Sequence, residues 1–161
     1  MDRIIRQIIA LINSNVKVAR GIKKVYWGDP FFIPRSSLPA IAVNPNRTVV
    51  DLADTERDND NIIIDIALIL DARDSFNASG TEETVMYEAT KIMEERESGT
   101  SHEVKDNTVL GIIRKDLWAD TDFVLRTTGT QIDYGFRETR EFPTVEAVLT
   151  LTAQSKIYTR S

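Results

Sequence analysis

Between Ile62 and Leu70 the chain is almost continuously apolar and rich in Ile, relieved only by Asp65. The run is far shorter than the ~20 residues a membrane-spanning helix needs. Its β-branched side chains favour a strand, and so few polar positions predict one that is covered on both faces or nearly so. A strand of that kind belongs in the middle of a sheet, and the rest of the chain has to supply its cover.

The N-terminus offers one layer. Ile4, Ile5, Ile8, Ile9, Leu11 and Ile12 recur at helical spacing, with Arg3, Arg6, Gln7 and Asn13 on the other face. The spacing predicts an amphipathic helix ending near Asn13 to Asn15. Its repeated Ile-Ile pairs serve by default as a core stripe and alternatively as a subunit contact. Val16 to Trp27 alternates loosely before the turn Gly28-Asp29-Pro30, which predicts a strand and then a turn. Pro34 and Pro39 bracket an extended segment that Phe31, Phe32 and Leu38 are available to anchor. Ala40 to Val43 is predicted as a short strand closed by Asn44-Pro45-Asn46, with Thr48 to Leu52 as its hairpin partner.

After the apolar run, Ser79 or Thr81 is placed to cap a second helix, and Glu82 and Glu83 favour its first turn. Val85, Met86, Ala89, Ile92 and Met93 line one face of it, and it ends near Glu97 in a solvated stretch. Ser98 to Asn107 is predicted as a mobile polar loop, and Val109, Leu110 and Ile113 as a short third helix or turn before Trp118. Ile132, Tyr134 and Phe136 then alternate with polar residues, as do Val145, Ala147, Leu149 and Leu151. These are two long strands, antiparallel neighbours joined through Glu138 to Pro143. Helices and strands are segregated rather than strictly alternating, so the fold class is α+β: a mixed, mainly antiparallel β-sheet packed with an N-terminal helix and a second central helix. The 161 residues suit one domain with a sizeable core.

Composition narrows the function. Without Cys there are no disulfides, thiolate metal sites or Cys nucleophiles, and with His102 as the lone His a multi-histidine metal site is impossible. Arg6 and Gln7 break the apolar N-terminal stretch, and no small-residue cleavage site follows, so no signal peptide is expected. The formal net charge is −5, divided as +5 over residues 1–24 and −10 over residues 25–161. Such asymmetry can steer like copies head to tail, and it equally describes a solvated basic helix before an acidic remainder. An acidic chain is poorly suited to gripping phosphates.

No phosphate-binding glycine loop, nucleophile elbow or paired-histidine zinc helix is present. The polar stretch Ala53 to Asn61 carries Asp54, Glu56, Asp58 and Asp60 against Arg57. It lacks the Gly and terminal Glu of a calcium loop. Asp58/Asp60 and Asp120/Asp122 read as solvated carboxylates rather than catalytic pairs. Ser101-His102-Glu103 holds the chemical types of a triad, yet sequence neighbours rarely converge as one. Trp27 and Trp118 are interface anchors or, by default, core residues. Arg126, Arg137 and Arg140 suit either an acidic partner or an exposed strand face. No catalytic residue, cofactor or metal is assigned.

The order of these elements, with Gly28-Asp29-Pro30 leading into Ile33-Pro34-Arg35-Ser36-Ser37-Leu38-Pro39-Ala40-Ile41-Ala42-Val43, resembles the tail terminator, or tail completion, proteins of long-tailed siphophages, closest in character to the T5-like version. The resemblance spans nearly the whole chain. It implies a structural virion protein, assembled in the host cytoplasm, that forms a hexameric ring at the head–tail junction. That ring caps the tail tube protein, stops tail polymerisation and offers a docking surface to the head connector. Genome DNA passes through its lumen without specific binding. Partner-contact loops are then expected at Ala53 to Asn61, Asp71 to Gly80 and Ser98 to Asn107, with Asp54, Glu56, Arg57, Asp58, Asp60, Arg73, Asp74, His102 and Glu103 as candidate contacts. The alternatives are a head–tail connector or neck protein and, in another class, a small ligand-binding domain or enzyme.

Overall fold

A computed structural model describes residues 2–54, 57–73, 82–115, 125–137 and 142–158. Its helices are α1 (Asp2–Leu11), α2 (Glu82–Glu94) and α3 (Val109–Lys115). Five strands, β1 (Lys24–Trp27), β2 (Ala40–Asp54), β3 (Arg57–Asp71), β4 (Leu125–Arg137) and β5 (Thr144–Tyr158), form one sheet in the order β1-β2-β3-β5-β4. Only β1 and β2 run parallel; the other neighbours are antiparallel. The architecture is thus α+β with a mixed, mostly antiparallel sheet, and the Ile-rich run lies on its middle strand.

Side chains alternate across that strand. Ile62, Ile64, Ile66 and Leu68 are buried on the face that packs with the helices, together with Ile41 and Val43 of β2 and Leu149 and Leu151 of β5. Ile5 and Ile8 of α1, Met93 of α2 and Ile112 of α3 close the same core. Each Ile taken fully from water contributes roughly 1.5–3 kcal/mol, so this layer dominates the stability. The opposite face is covered only in part. Ile33 and Leu38 lie against Ala40, Ala42, Ala67 and Ile69, where small Ala side chains admit a crossing segment. Further along, Asp65 accepts hydrogen bonds from Asn46 Nδ2 at 2.7 Å and Thr150 Oγ1 at 2.9 Å, and Ile63 is half-buried. Cover on both faces therefore holds for one half of the apolar run and not the other.

Several boundaries move from where the sequence puts them. The first helix does not stop at Asn13 to Asn15: it passes through a π turn, Ile12–Val16, into a last α turn, Lys17–Arg20. Ser14 and Asn15, which favour helix ends, instead bond back to the carbonyls of Ala10 and Leu11 at 2.9 and 3.0 Å. The π turn leaves both Ile12 and Val16 fully buried. Gly21, at φ 67°, then closes the helix, with Ile22 N–H donating to the Lys17 carbonyl. The strand expected from Val16 is shortened to Lys24–Trp27.

Ala40 to Val43 and Thr48 to Leu52 are one strand rather than two hairpin arms. Pro45 is tolerated because β1 pairs only with Ala40 to Val43, so β2 is an edge strand where the proline sits. A register shift between Pro45 and Arg47 absorbs Asn46 as a bulge. The Pro-bracketed segment is anchored by buried Ile33 and Leu38, not by Phe31 and Phe32, which are 59% and 83% exposed.

Ser98 to Asn107 is tied down rather than mobile. Arg96 and Val104 bridge, Lys105 N–H donates to the Glu95 carbonyl at 2.8 Å, and Glu97 N–H to that of Glu103 at 2.7 Å. Arg20 binds Glu95 at 2.6 Å and the Asn107 side chain at 2.6 Å, which explains why the first helix has to reach residue 20. No helix among the described residues is long and apolar enough to cross a membrane.

Candidate functional site

The end of β3 brings together charges that are remote in sequence. Asp71 closes the strand with its side chain only 9% exposed. Arg35, on the 3-10 turn Arg35–Ser37, meets Asp71 Oδ2 through Nε, and Arg73 contributes its backbone N–H to Asp71 Oδ1 at 2.9 Å and its Nε at 3.8 Å. Both guanidinium groups lie over the ring of Phe142, at 6.0 Å for Arg35 and 5.2 Å for Arg73. Burial alone would raise the Asp71 pKa. The hydrogen bonds from Arg35 and Arg73, with their charges, outweigh it and hold the carboxyl below its ordinary value. An open depression beside the pair is lined by Lys23, Arg35, Ser36, Leu38 and Asp71. Among the described residues, and counting Arg73, this surface carries three cations against one anion, with Leu38 as its apolar lining. Guanidinium groups stacked on a ring are oriented donors for carboxylate or phosphate oxygens.

The other conspicuous surface is the far side of the sheet. Among the described residues β4 has β5 as its one neighbour in the sheet, so 13 residues of backbone form an edge. Gln131, Asp133 and Arg137 are exposed along it. Gln131 Nε2 lies 3.0 and 3.1 Å from the Asp133 carboxylate, and Arg137 Nε is 3.0 Å from Glu146, itself only 3% exposed. The edge contains no Pro, and a register shift between Thr127 and Gly129 puts a bulge at Thr128.

Among the described residues, those singled out in the sequence do not converge. The stretch Ala53 to Asn61 is not simply a loop, because β2 continues to Asp54 and β3 begins at Arg57, with Asp54 and Arg57 in register. Asp58 and Asp60 are strand residues, paired through β3 with both β2 and β5. Their polar character misleads because strand pairing here comes from neighbours on both sides. His102 and Glu103 are exposed in the tethered turn, His102 with φ 47° and its carbonyl accepting from Arg96 Nη1 at 2.9 Å. Among the described residues, Arg73 is the partner-contact candidate that joins the charged cluster. Glu56, Asp74, Trp118, Asp120, Asp122 and Arg140 lie outside the described residues, as does most of the Asp71 to Gly80 loop. Trp27 is 43% exposed beneath Arg6, whose guanidinium is 5.6 Å from the ring centre, and so is not a core residue. Arg35 and Asp71 escaped notice because 36 residues separate them, and no local spacing rule connects such a pair.

No protein family and no curated protein matches this chain. Solved structures do match: one, whose designation states no activity, aligns at a TM-score of 0.45 and 13% identity, covering 99% of this chain and 99% of that one. So distant a likeness carries no argument about function.

Proposed function

We propose that this chain is the subunit of a tail terminator ring, which caps the tail tube, halts tail polymerisation and presents a docking surface to the head connector. The observation that carries the reading is the sheet's flank, where among the described residues β4 is a 13-residue edge strand with one bulge at Thr128, beside a face only partly covered. An edge of that length without Pro offers unpaired backbone groups to another chain. In a ring, each copy offers a surface that differs from the one it receives, and the edge supplies one of the two. A chain of net charge −5 also suits a lumen that lets DNA pass without holding it.

Light scattering on the purified protein, alone and then with tail-tube subunits, tests this alongside electron microscopy of the products. Rings, or caps on tube ends, are the expected result. A stable monomer that ignores tubes refutes the assignment. Binding to a head connector but not to tubes turns it into a neck protein.

A further inference from the structure

We infer that β4 of each copy pairs with β1 of the next, so that one sheet runs on from subunit to subunit, a contact that deepens the ring reading and rests on it. Among the described residues β1 and β4 are the two edges of the sheet. β1 runs parallel to β2, and each later neighbour reverses direction, so β1 and β4 point opposite ways. Rotation about an axis along the strands preserves both strand direction and the face that carries the helices. β1 of a neighbour then meets β4 as an antiparallel partner, helical face beside helical face. Two different edges joined in this manner form a heterologous contact, which closes into a ring when the rotation per subunit allows it.

The side chains of the two edges match under that arrangement. On the helical face, Val25 of β1 and Ile132 and Tyr134 of β4 pack against the main core, yet each is only half-buried. Trp27 shares the face of Val25 and is exposed beneath Arg6. Each edge thus ends in an apolar row that the other would cover. On the outer face, Lys24 is exposed on β1 and Asp133 on β4. Among the described residues Lys24 has no carboxylate partner, and Asp133 is met by Gln131 Nε2 rather than by a cation. Arg137, the cation on β4 itself, is engaged by Glu146, so two β4 edges pairing symmetrically offer Asp133 no free cation. The register that sets Lys24 opposite Asp133 also sets Val25 opposite Ile132 and Trp27 opposite Thr130. A slip of one residue turns the apolar row to the wrong face, and a slip of four sets Lys24 against Arg137, a like charge.

Charge exchange and cysteine pairs test the contact in the full chain, with light scattering run alone and with tail-tube subunits. Lys24→Glu and Asp133→Lys each set like charges opposite one another, and each is expected to weaken association at least about fivefold. One chain carrying both substitutions, or an equimolar mixture of the two variants, is expected to regain wild-type association, because every contact again joins opposite signs. The chain has no Cys of its own, so cross-links report only introduced thiols. A chain with Lys24→Cys and Asp133→Cys is expected to give disulfide-linked oligomers on mild oxidation, since residues directly opposite across an antiparallel pair come within bridging reach. Either substitution alone is expected to stay unlinked. Linked dimers from a single-Cys variant overturn the arrangement, because they show two like edges meeting. Weakening by both charge variants without recovery in the combined chain overturns it too, since each edge then meets something else. Wild-type rings that ignore both charge variants, with no cross-link in the two-Cys chain, overturn this contact and leave the terminator reading standing. A wild type that remains monomeric, alone and with tube subunits, overturns both.

Discussion

Substituting Gly111 by Ala sets two physical effects against each other, and the structure decides the sign. In an exposed helix the change would stabilise by about 1 kcal/mol, because Ala has the better helix propensity. Gly111 is buried in α3, however, and a Cβ there would press far inside contact distance of the Lys105 carbonyl oxygen, and come within 2.9 Å of both the Lys105 carbonyl carbon and Thr108 Oγ1. Those atoms form the helix cap. Thr108 Oγ1 accepts from Gly111 N–H at 3.0 Å and donates to the Lys105 carbonyl at 2.7 Å, and Thr108 N–H donates to the same carbonyl at 3.2 Å. Moving that carbonyl aside costs about 1–3 kcal/mol in overpacking. Loosening the cap costs roughly 1 kcal/mol more. Gly111→Ala is therefore expected to destabilise by about 2 kcal/mol after the propensity gain is subtracted. In urea, with a slope of about 2 kcal/mol/M, the unfolding midpoint falls by about 1 M at fixed protein concentration. Gly135→Ala is the control, because nothing lies within 4 Å of its added Cβ. A Gly111→Ala midpoint at or above that of the wild type would refute the argument.

Three further outcomes follow from the packing and the charges. Ile64→Asp places an unpaired charge at a fully buried position on the middle strand and is expected to prevent folding, so a soluble variant with a cooperative unfolding transition would sink the account of the core. Hydrogen bonds from Arg20 and Lys105 lower the pKa of Glu95, and Asp71 is lowered as described above. Folded values below the unfolded ones mean that the stabilisation is present above the ordinary values of 4.5 and 3.8 and is lost as pH falls through the folded values. Urea midpoints measured from pH 7 down to pH 3 are expected to fall less steeply below about pH 4.5 in a Glu95→Gln, Asp71→Asn double variant; an unchanged slope contradicts this. His102→Ala, at an exposed turn, is expected to leave the proposed ring assembly intact, and lost function with normal folding and assembly would revive the enzyme alternative.

Periodicity alone determined where the core faces lie. Ile62 to Leu70, the alternation on β5, and the apolar face of α2 are local patterns, and burial of one face suffices to specify them, whereas on β4 Ile132 and Tyr134 are half-buried and Phe136 is exposed. Tertiary structure decided what depends on neighbours distant in sequence. Pro45 can sit inside a 15-residue strand because β1 is too short to reach it. Asn13 to Asn15 do not end the first helix, since Arg20 has to meet Glu95 and Asn107. Polar Arg57 to Asn61 becomes strand because β2 and β5 both pair with it. The charged cluster joins Arg35 to Asp71 only once β3 and the segment crossing the sheet are in place, and a contact closed over 36 residues leaves no trace in any local window. Local rules read the side of an element that faces the core; which charges meet across the surface is set by packing.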